Sequence, residues 1–238
     1  STVKPLTVAA ALELGVVSDS NTFVCDGGQT VVEGQPRIKC AKRAGHGLIT
    51  LEGALMFSCN DALMQIGAML GYENYLKYQE IFNFGLKTNI DLPGEASGLI
   101  YQASNMDPAS LATNAFGQNY NCTMVQMAAG YAALANDGMY REPTCIMRIT
   151  DDTGAEVYLA AQEGQEVYRQ NAARMMTDVL NGVFINGTGR GLGLSDMPCA
   201  GKTGTTNDHK DGWLVGYTRY YTTSVWVGYD MPKEMDSL

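Results

Sequence analysis

Histidine is almost missing from this chain. Only His46 and His209 occur in 238 residues, and none of the six cysteines forms a CxxC pair. No zinc-ligand spacing is visible, so no metal is expected. Basic residues do not dominate either. Sixteen Lys and Arg against 25 Asp and Glu leave a formal net charge of −9, which excludes the electrostatic footprint of a nucleic-acid binder. Long apolar runs are lacking too. No stretch approaches the ~18 apolar residues of a membrane span. The apolar segment Leu6 to Val17 is interrupted by Glu13 and reads as a core helix rather than a signal peptide. Nucleotide fingerprints fail on inspection. Gly187, Gly189, Gly191 and Gly193 miss the GxGxxG spacing, and a P-loop ending at Lys202 would need Gly where Asp196 stands.

What remains can build a sizeable core, since 45% of residues are hydrophobic. Cys25, Cys40, Cys59, Cys122, Cys145 and Cys199 do not make a dense framework, and most read as small buried apolar residues. Cys25 and Cys40 are the exception. They bracket a Gly-rich polar loop that a disulfide would clip in an oxidising compartment. Cys59 is expected to be a buried thiol facing away from any cleft.

Apolar spacing predicts a helix from Val3 towards Val17, ending near Gly15, with Pro5 tolerated in its first turn. Residues 18–47 read as an irregular insertion. Further helices are expected at 48–57, with Thr50 as N-cap, at 61–70 closed by Gly71, and at 75–84, 124–135 and 172–183. The last third changes period. Residues 200–205, 212–217 and 222–229 read as strands joined by short polar turns. The result is an α+β arrangement, helices packed on an antiparallel sheet.

Three short motifs carry the chemistry: Ser1-Thr2-Val3-Lys4, Ser58-Cys59-Asn60 and Lys202-Thr203-Gly204. Each alone is weak. An SxxK arises readily by chance as a helix start with a surface lysine, and an SxN is ordinarily an N-cap. Together, in this order, they supply what attack on a peptide carbonyl needs without histidine. Ser1 and Lys4 share one face of a helix, Ser1 as nucleophile and Lys4 as base. Lys4 must lose its proton, which burial and a nearby Lys202 would favour. Ser58 can relay a proton with Lys4 or Lys202 to a leaving amine, and Asn60 can bind a substrate amide. The glycines beside Lys202, Gly204 included, open a strand edge to a ligand. Thr203 and Thr205 offer hydroxyls to a carboxylate. The backbone N–H groups of Ser1 and Thr205 are the candidate oxyanion hole.

These motifs resemble the transpeptidase domain of penicillin-binding proteins, within the superfamily that includes serine β-lactamases. The likeness extends through Gly45-His46-Gly47, Leu51-Glu52-Gly53-Ala54-Leu55, Phe116-Gly117-Gln118, Gln126-Met127-Ala128, Ala135-Asn136-Asp137-Gly138 and Gly187-Thr188-Gly189. Residues 90–95 look like the monofunctional class B enzymes, whereas 202–211 and 213–217 look more like the bifunctional class A enzymes. The resemblance implies a D,D-transpeptidase that cross-links peptidoglycan stem peptides through an acyl-enzyme and is inhibited by β-lactam antibiotics, with no cofactor. A D,D-carboxypeptidase and a β-lactam sensor or scaffold that acylates without turnover are the alternatives. A β-lactamase is disfavoured, since no Glu-x-x-Leu-Asn follows SxN. The implied setting is the extracytoplasmic face of the bacterial membrane, in a cell-wall synthesis complex, anchored from outside this stretch. Family domains place strands before the SxxK helix and continue past Tyr229. Residues 1–238 are therefore read as one transpeptidase domain lacking its upstream strands and C-terminal end, poorly active in isolation.

Overall fold

The helix that opens the chain is also the axis of the molecule. In this computed structural model, which describes residues 1–161 and 163–235, α1 (Lys4–Glu13) is buried continuously from Lys4 to Leu12. Ala9, Ala10 and Ala11 are at most 1% exposed. A helix apolar on every side must be surrounded, and its small side chains let neighbours come close. Gly15 ends the segment at φ 66°, where the Val16 N–H returns to the Ala11 carbonyl at 3.0 Å.

Four short strands follow: β1 (Thr22–Cys25), β2 (Gly28–Gln29), β3 (Ile38–Lys39) and β4 (Gly47–Thr50). Next come α2 (Leu51–Met56), α3 (Asn60–Leu70), α4 (Tyr72–Ile81), α5 (Pro108–Ala115) and α6 (Met124–Ala135). The strands β5 (Met139–Tyr140), β6 (Arg148–Thr150), β7 (Glu156–Leu159) and β8 (Gln165–Glu166) precede α7 (Gln170–Asn186). The chain then forms β9 (Cys199–Thr205), β10 (Asp211–Thr218) and β11 (Thr222–Gly228). These last three make an antiparallel sheet in the order β11-β10-β9, pairing Lys202 with Val215 and Gly204 with Trp213. Around α1 stand α3, α4 and α7. In turn α7 lies on β9, and α6 reaches β10 and β11. The expected helices on an antiparallel sheet are thus present.

Boundaries shift where pairing competes with helix formation. The helix expected from Leu48 starts at Leu51, because Gly47–Thr50 pairs with β1. Thr50 caps it as anticipated, accepting from the Gly53 N–H at 3.1 Å. The supposedly irregular insertion is tied into two antiparallel pairs, β1 with β4 and β2 with β3. Helix α5 went unread, although Asp107 accepts the Ser110 N–H at 2.7 Å and Pro108 fills the first turn. The β6–β7 pair also went unread. Its residues are exposed on both faces, so no alternation marks them.

Glycine sets how close α7 comes to the sheet. A Cβ at Gly201 would sit 2.6 Å from the Phe184 ring and 2.6 Å from the Val215 carbonyl. Gly201→Ala is expected to push α7 off β9 and to destabilise by about 1–3 kcal/mol. Thermal melts should show a fall of about 2–4 °C per kcal/mol. An unchanged melting temperature would show that the layers have slack.

Candidate active site

Ser1 to Val3 form a turn that leads into α1, with the Lys4 N–H donating to the Ser1 carbonyl at 3.2 Å. This turn is gripped from three sides. The Tyr131 hydroxyl donates to the Thr2 carbonyl at 2.5 Å. A Cβ on Gly204 would lie 3.1 Å from the Thr2 methyl and 3.2 Å from its nitrogen. A Cβ on Gly117, already at φ 89°, would lie 3.0 Å from the Ser1 nitrogen. Gly204 is therefore glycine because the chain at Thr2 crosses β9 there. That is a packing reason, distinct from the open ligand edge read from the sequence.

The second motif is a strained corner. After α2 the backbone turns at Ser58 with φ 52°, in the left-handed region, and Cys59 caps α3 by accepting the Ala62 N–H at its sulfur. The Ser58 N–H donates to Leu55 and the Cys59 N–H to Ala54, at 3.1 and 2.8 Å. This corner meets Lys4, which is fully buried. The Lys4 Nζ lies 2.6 Å from the Ser58 carbonyl, 2.9 Å from the Ser58 Oγ and 2.7 Å from the Asn60 Oδ1. Burial drives the Lys4 amine well below its ordinary pKa of 10.5, and the charge of Lys202 adds to the effect. The Nζ donates to the Ser58 carbonyl, the Ser58 hydroxyl and the Asn60 amide oxygen.

The third motif lies on β9. Lys202 is also fully buried. Its Nζ donates to the Thr203 carbonyl at 2.9 Å and sits 3.4 Å from the Thr188 hydroxyl. Burial lowers its pKa to about 7. The Thr188 hydroxyl also meets that of Thr203 at 3.0 Å. Sequence reasoning flagged the stretch 187–189 without giving Thr188 a role. Ser1, Gly204 and Thr205 line a cavity of about 610 Å³ with Tyr120 and Trp213. Lys4, Ser58, Asn60 and Lys202 are not part of its wall. On the same wall, Asp211 accepts from the Thr206 hydroxyl and the Trp226 indole, each at 2.9 Å. Asp211 and Trp226 carry no role in the sequence reading.

Cys25 and Cys40 are free thiols, not a bridge. Both face the His46 Nδ1, and Cys59 joins them, the four ligand atoms lying within 4.8 Å of one another. Cys59 is buried as expected, but Cys145 is exposed and Cys122 and Cys199 are half-buried. The sequence showed no ligand pair because the fold gathers these residues from four separate stretches.

The penicillin binding protein transpeptidase domain matches residues 1–236. The chain belongs to that family. Stage V sporulation protein D of Bacillus subtilis (strain 168) is 35% identical over 216 residues, covering 89% of this chain and 33% of that protein. The D,D-transpeptidase domain of a peptidoglycan glycosyltransferase from Eggerthella lenta superposes with a TM-score of 0.81 at 27% identity, over 95% of this chain and 58% of that one. Penicillin binding protein 3 of Mycobacterium tuberculosis, solved with aztreonam, shares the fold at 24% identity and a TM-score of 0.81, over 95% of this chain and 54% of that one.

Two buried lysines in this penicillin-binding domain make stability depend on pH. Below about pH 7 Lys202 is protonated folded and unfolded, and burial of the charge opposes folding in full. Between about 7 and 10.5 only the unfolded chain holds that proton, so stability rises with pH at up to about 1.4 kcal/mol per unit. Lys202→Met removes this slope. The advantage of Lys202→Met over the wild type in urea melts should therefore shrink from pH 7 to pH 9. A constant difference would contradict the assignment.

Proposed function

We infer that residues 1–238 act as a serine acyl-transfer domain that cross-links peptidoglycan stem peptides. One observation carries the reading. A buried lysine amine, depressed in pKa, is held by the hydroxyl of one motif and the amide of the same motif, at the base of the helix that follows Ser1. Such an amine is a general base at neutral pH.

In the reaction the Ser1 Oγ attacks the carbonyl of the terminal D-Ala–D-Ala bond while its proton passes to Lys4. The N–H groups of Ser1 and Thr205 receive the oxyanion. As the peptide C–N bond breaks, the proton moves through Ser58, with Lys202 assisting, to the departing D-Ala amine. Lys202, Thr203 and Thr205 attract the terminal carboxylate. Since the Asn60 oxygen accepts from Lys4, its amide nitrogen is left to a substrate carbonyl. An amine of a second stem peptide then attacks the ester, its proton passing through Lys4 to the Ser1 Oγ as the ester C–O bond breaks and Ser1 is released. This substrate lies outside the cytoplasm, so the domain works at the extracytoplasmic face of the membrane beside other cell-wall enzymes. Among the described residues no helix is long and apolar enough to cross a membrane.

A labelled penicillin should attach covalently to Ser1 in the full-length protein. Ser1→Ala should abolish attachment with an unchanged circular dichroism spectrum, and Lys4→Ala should slow it by about 10²–10⁴-fold. An adduct mapped by mass to another residue would falsify the assignment of the nucleophile. The penicilloyl ester should also be long-lived, because no Glu-x-x-Leu-Asn base is present. Rapid nitrocefin clearance would instead indicate a β-lactamase. A D-Ala–D-Ala thioester distinguishes the rest: transfer to an added amine marks the transpeptidase, hydrolysis alone a carboxypeptidase, and a single turnover a sensor.

A further inference from the structure

Four side chains from four stretches meet beside the Ser58 corner. Cys25 ends β1, Cys40 follows β3, His46 precedes β4 and Cys59 caps α3. The His46 Nδ1 is 3.4 Å from the Cys25 sulfur and 3.7 Å from the Cys40 sulfur. The Cys40 and Cys59 sulfurs are 3.9 Å apart, and all four ligand atoms lie within 4.8 Å of one another. A tetrahedral zinc ion with Zn–S bonds of about 2.3 Å and Zn–N of about 2.0 Å spaces its sulfurs about 3.8 Å apart and sulfur from nitrogen about 3.5 Å. The separations of 3.4 and 3.7 Å from the imidazole and 3.9 Å between the Cys40 and Cys59 sulfurs fit this shell. They are far from the ~2.05 Å of a disulfide. A thiol hydrogen bond explains one contact at a time, whereas an ion explains why all four atoms share one small sphere.

The surroundings hold the ligands in place before any ion arrives. A Cβ on Gly45, at φ 78°, would fall 2.2 Å from the Cys25 carbonyl, so the two ligand-bearing loops can touch only at glycine. The His46 ring stacks on Phe57 at 5.8 Å and 9°, which fixes its plane. Asp61, in the first turn of α3, accepts the Gly28 N–H at 3.1 Å and the Gln29 side-chain amide at 2.5 Å. The insertion is thereby pinned to the helix that carries Cys59.

We propose that Cys25, Cys40, His46 and Cys59 bind a structural zinc ion, and that this ion locks the Ser58-Cys59-Asn60 corner against the Lys4 amine. Three thiolates and an imidazole are a soft set that suits zinc, and four protein ligands leave no open coordination position. Cys59 is the link. Its neighbours on either side both contact the Lys4 Nζ, so anchoring its sulfur anchors them. The metal site stands on geometry alone, whereas its consequence at Lys4 rests on the acyl-transfer reading above.

The test measures metal before activity. Full-length protein purified without oxidant is analysed for zinc, for intact mass, and for its visible spectrum after exchange with cobalt. The expected result is about one tightly held zinc per chain and tetrahedral thiolate–cobalt bands. Cys40→Ser should lose the metal, and Cys145→Ser, an exposed thiol outside the cluster, should keep it. If Cys40→Ser does not fold, the wild-type stoichiometry and cobalt spectrum decide. Wild-type protein without zinc, an octahedral cobalt spectrum, or a mass two hydrogens lower from a Cys25–Cys40 bridge overturns the site. Extraction of the metal should slow penicillin attachment to Ser1 by about 10²-fold, with recovery on adding zinc. An unchanged rate overturns the lock on the corner. Zinc-loaded protein that never attaches penicillin refutes the acyl-transfer reading instead, and the metal measurements still judge the site.

Discussion

A lysine amine sealed from water, with no carboxylate beside it among the described residues, is the constraint on which this structure turns. Lys4 stands at the first turn of the most buried helix, and its three contacts come from Ser58 and Asn60. A carboxylate partner would stabilise the ammonium and raise its pKa. Neutral oxygens satisfy the hydrogen bonds of the amine without that effect. The alanines of α1 serve the same end, because their small size lets α3 and α7 close around the helix and exclude water.

The Ser58 corner costs something to hold. A non-glycine residue at φ 52° carries strain of about 1–3 kcal/mol. Glycine would relieve it and lose the hydroxyl that faces Lys4. Serine persists because both its carbonyl and its hydroxyl are engaged by the amine, while the flanking N–H groups return to α2. The strain is thus balanced on both sides of the corner, by hydrogen bonds to one helix and by the sulfur cap on the next.

What could be read from the sequence follows from how local each signal is. Thr50 as a cap, Gly71 as a stop and the three strands after residue 199 rest on neighbours a few residues away, and all three stand in the structure. Chemical types in a fixed order marked Lys4, Ser58, Asn60 and Lys202, and the fold brings the first three into contact. Other features depend on distant partners. Gly204 faces the cavity, and its second constraint, the crossing of Thr2 over β9, has no local trace. Thr188 acquires meaning only beside Lys202 and Thr203. The convergence of Cys25, Cys40, His46 and Cys59 has no local trace, because β1, β3, β4 and α3 must assemble first.

The two buried lysines differ in their surroundings. Lys4 projects from a helix and is enclosed by oxygens of one corner, so its proton affinity is set by burial and by the other cation. Lys202 projects from a strand whose neighbour Thr203 is half-exposed and whose end, Thr205, lines the cavity. Its amine is bonded to a carbonyl of its own strand and lies near the Thr188 hydroxyl, and burial lowers its pKa to about 7. A group poised in that way can attract an anionic substrate when protonated and give up a proton when one is needed. Lys4, depressed further by a charged Lys202, becomes the stronger candidate for the neutral base when Lys202 is cationic. Under the proposed acyl-transfer function, such an arrangement would couple substrate charge to base strength. A carboxylate paired with Lys202 would offset its repulsion of Lys4 and raise the proton affinity of the Lys4 amine. Substrate binding at β9 would therefore strengthen the base on α1, and neither lysine would need a permanent anionic partner to do so.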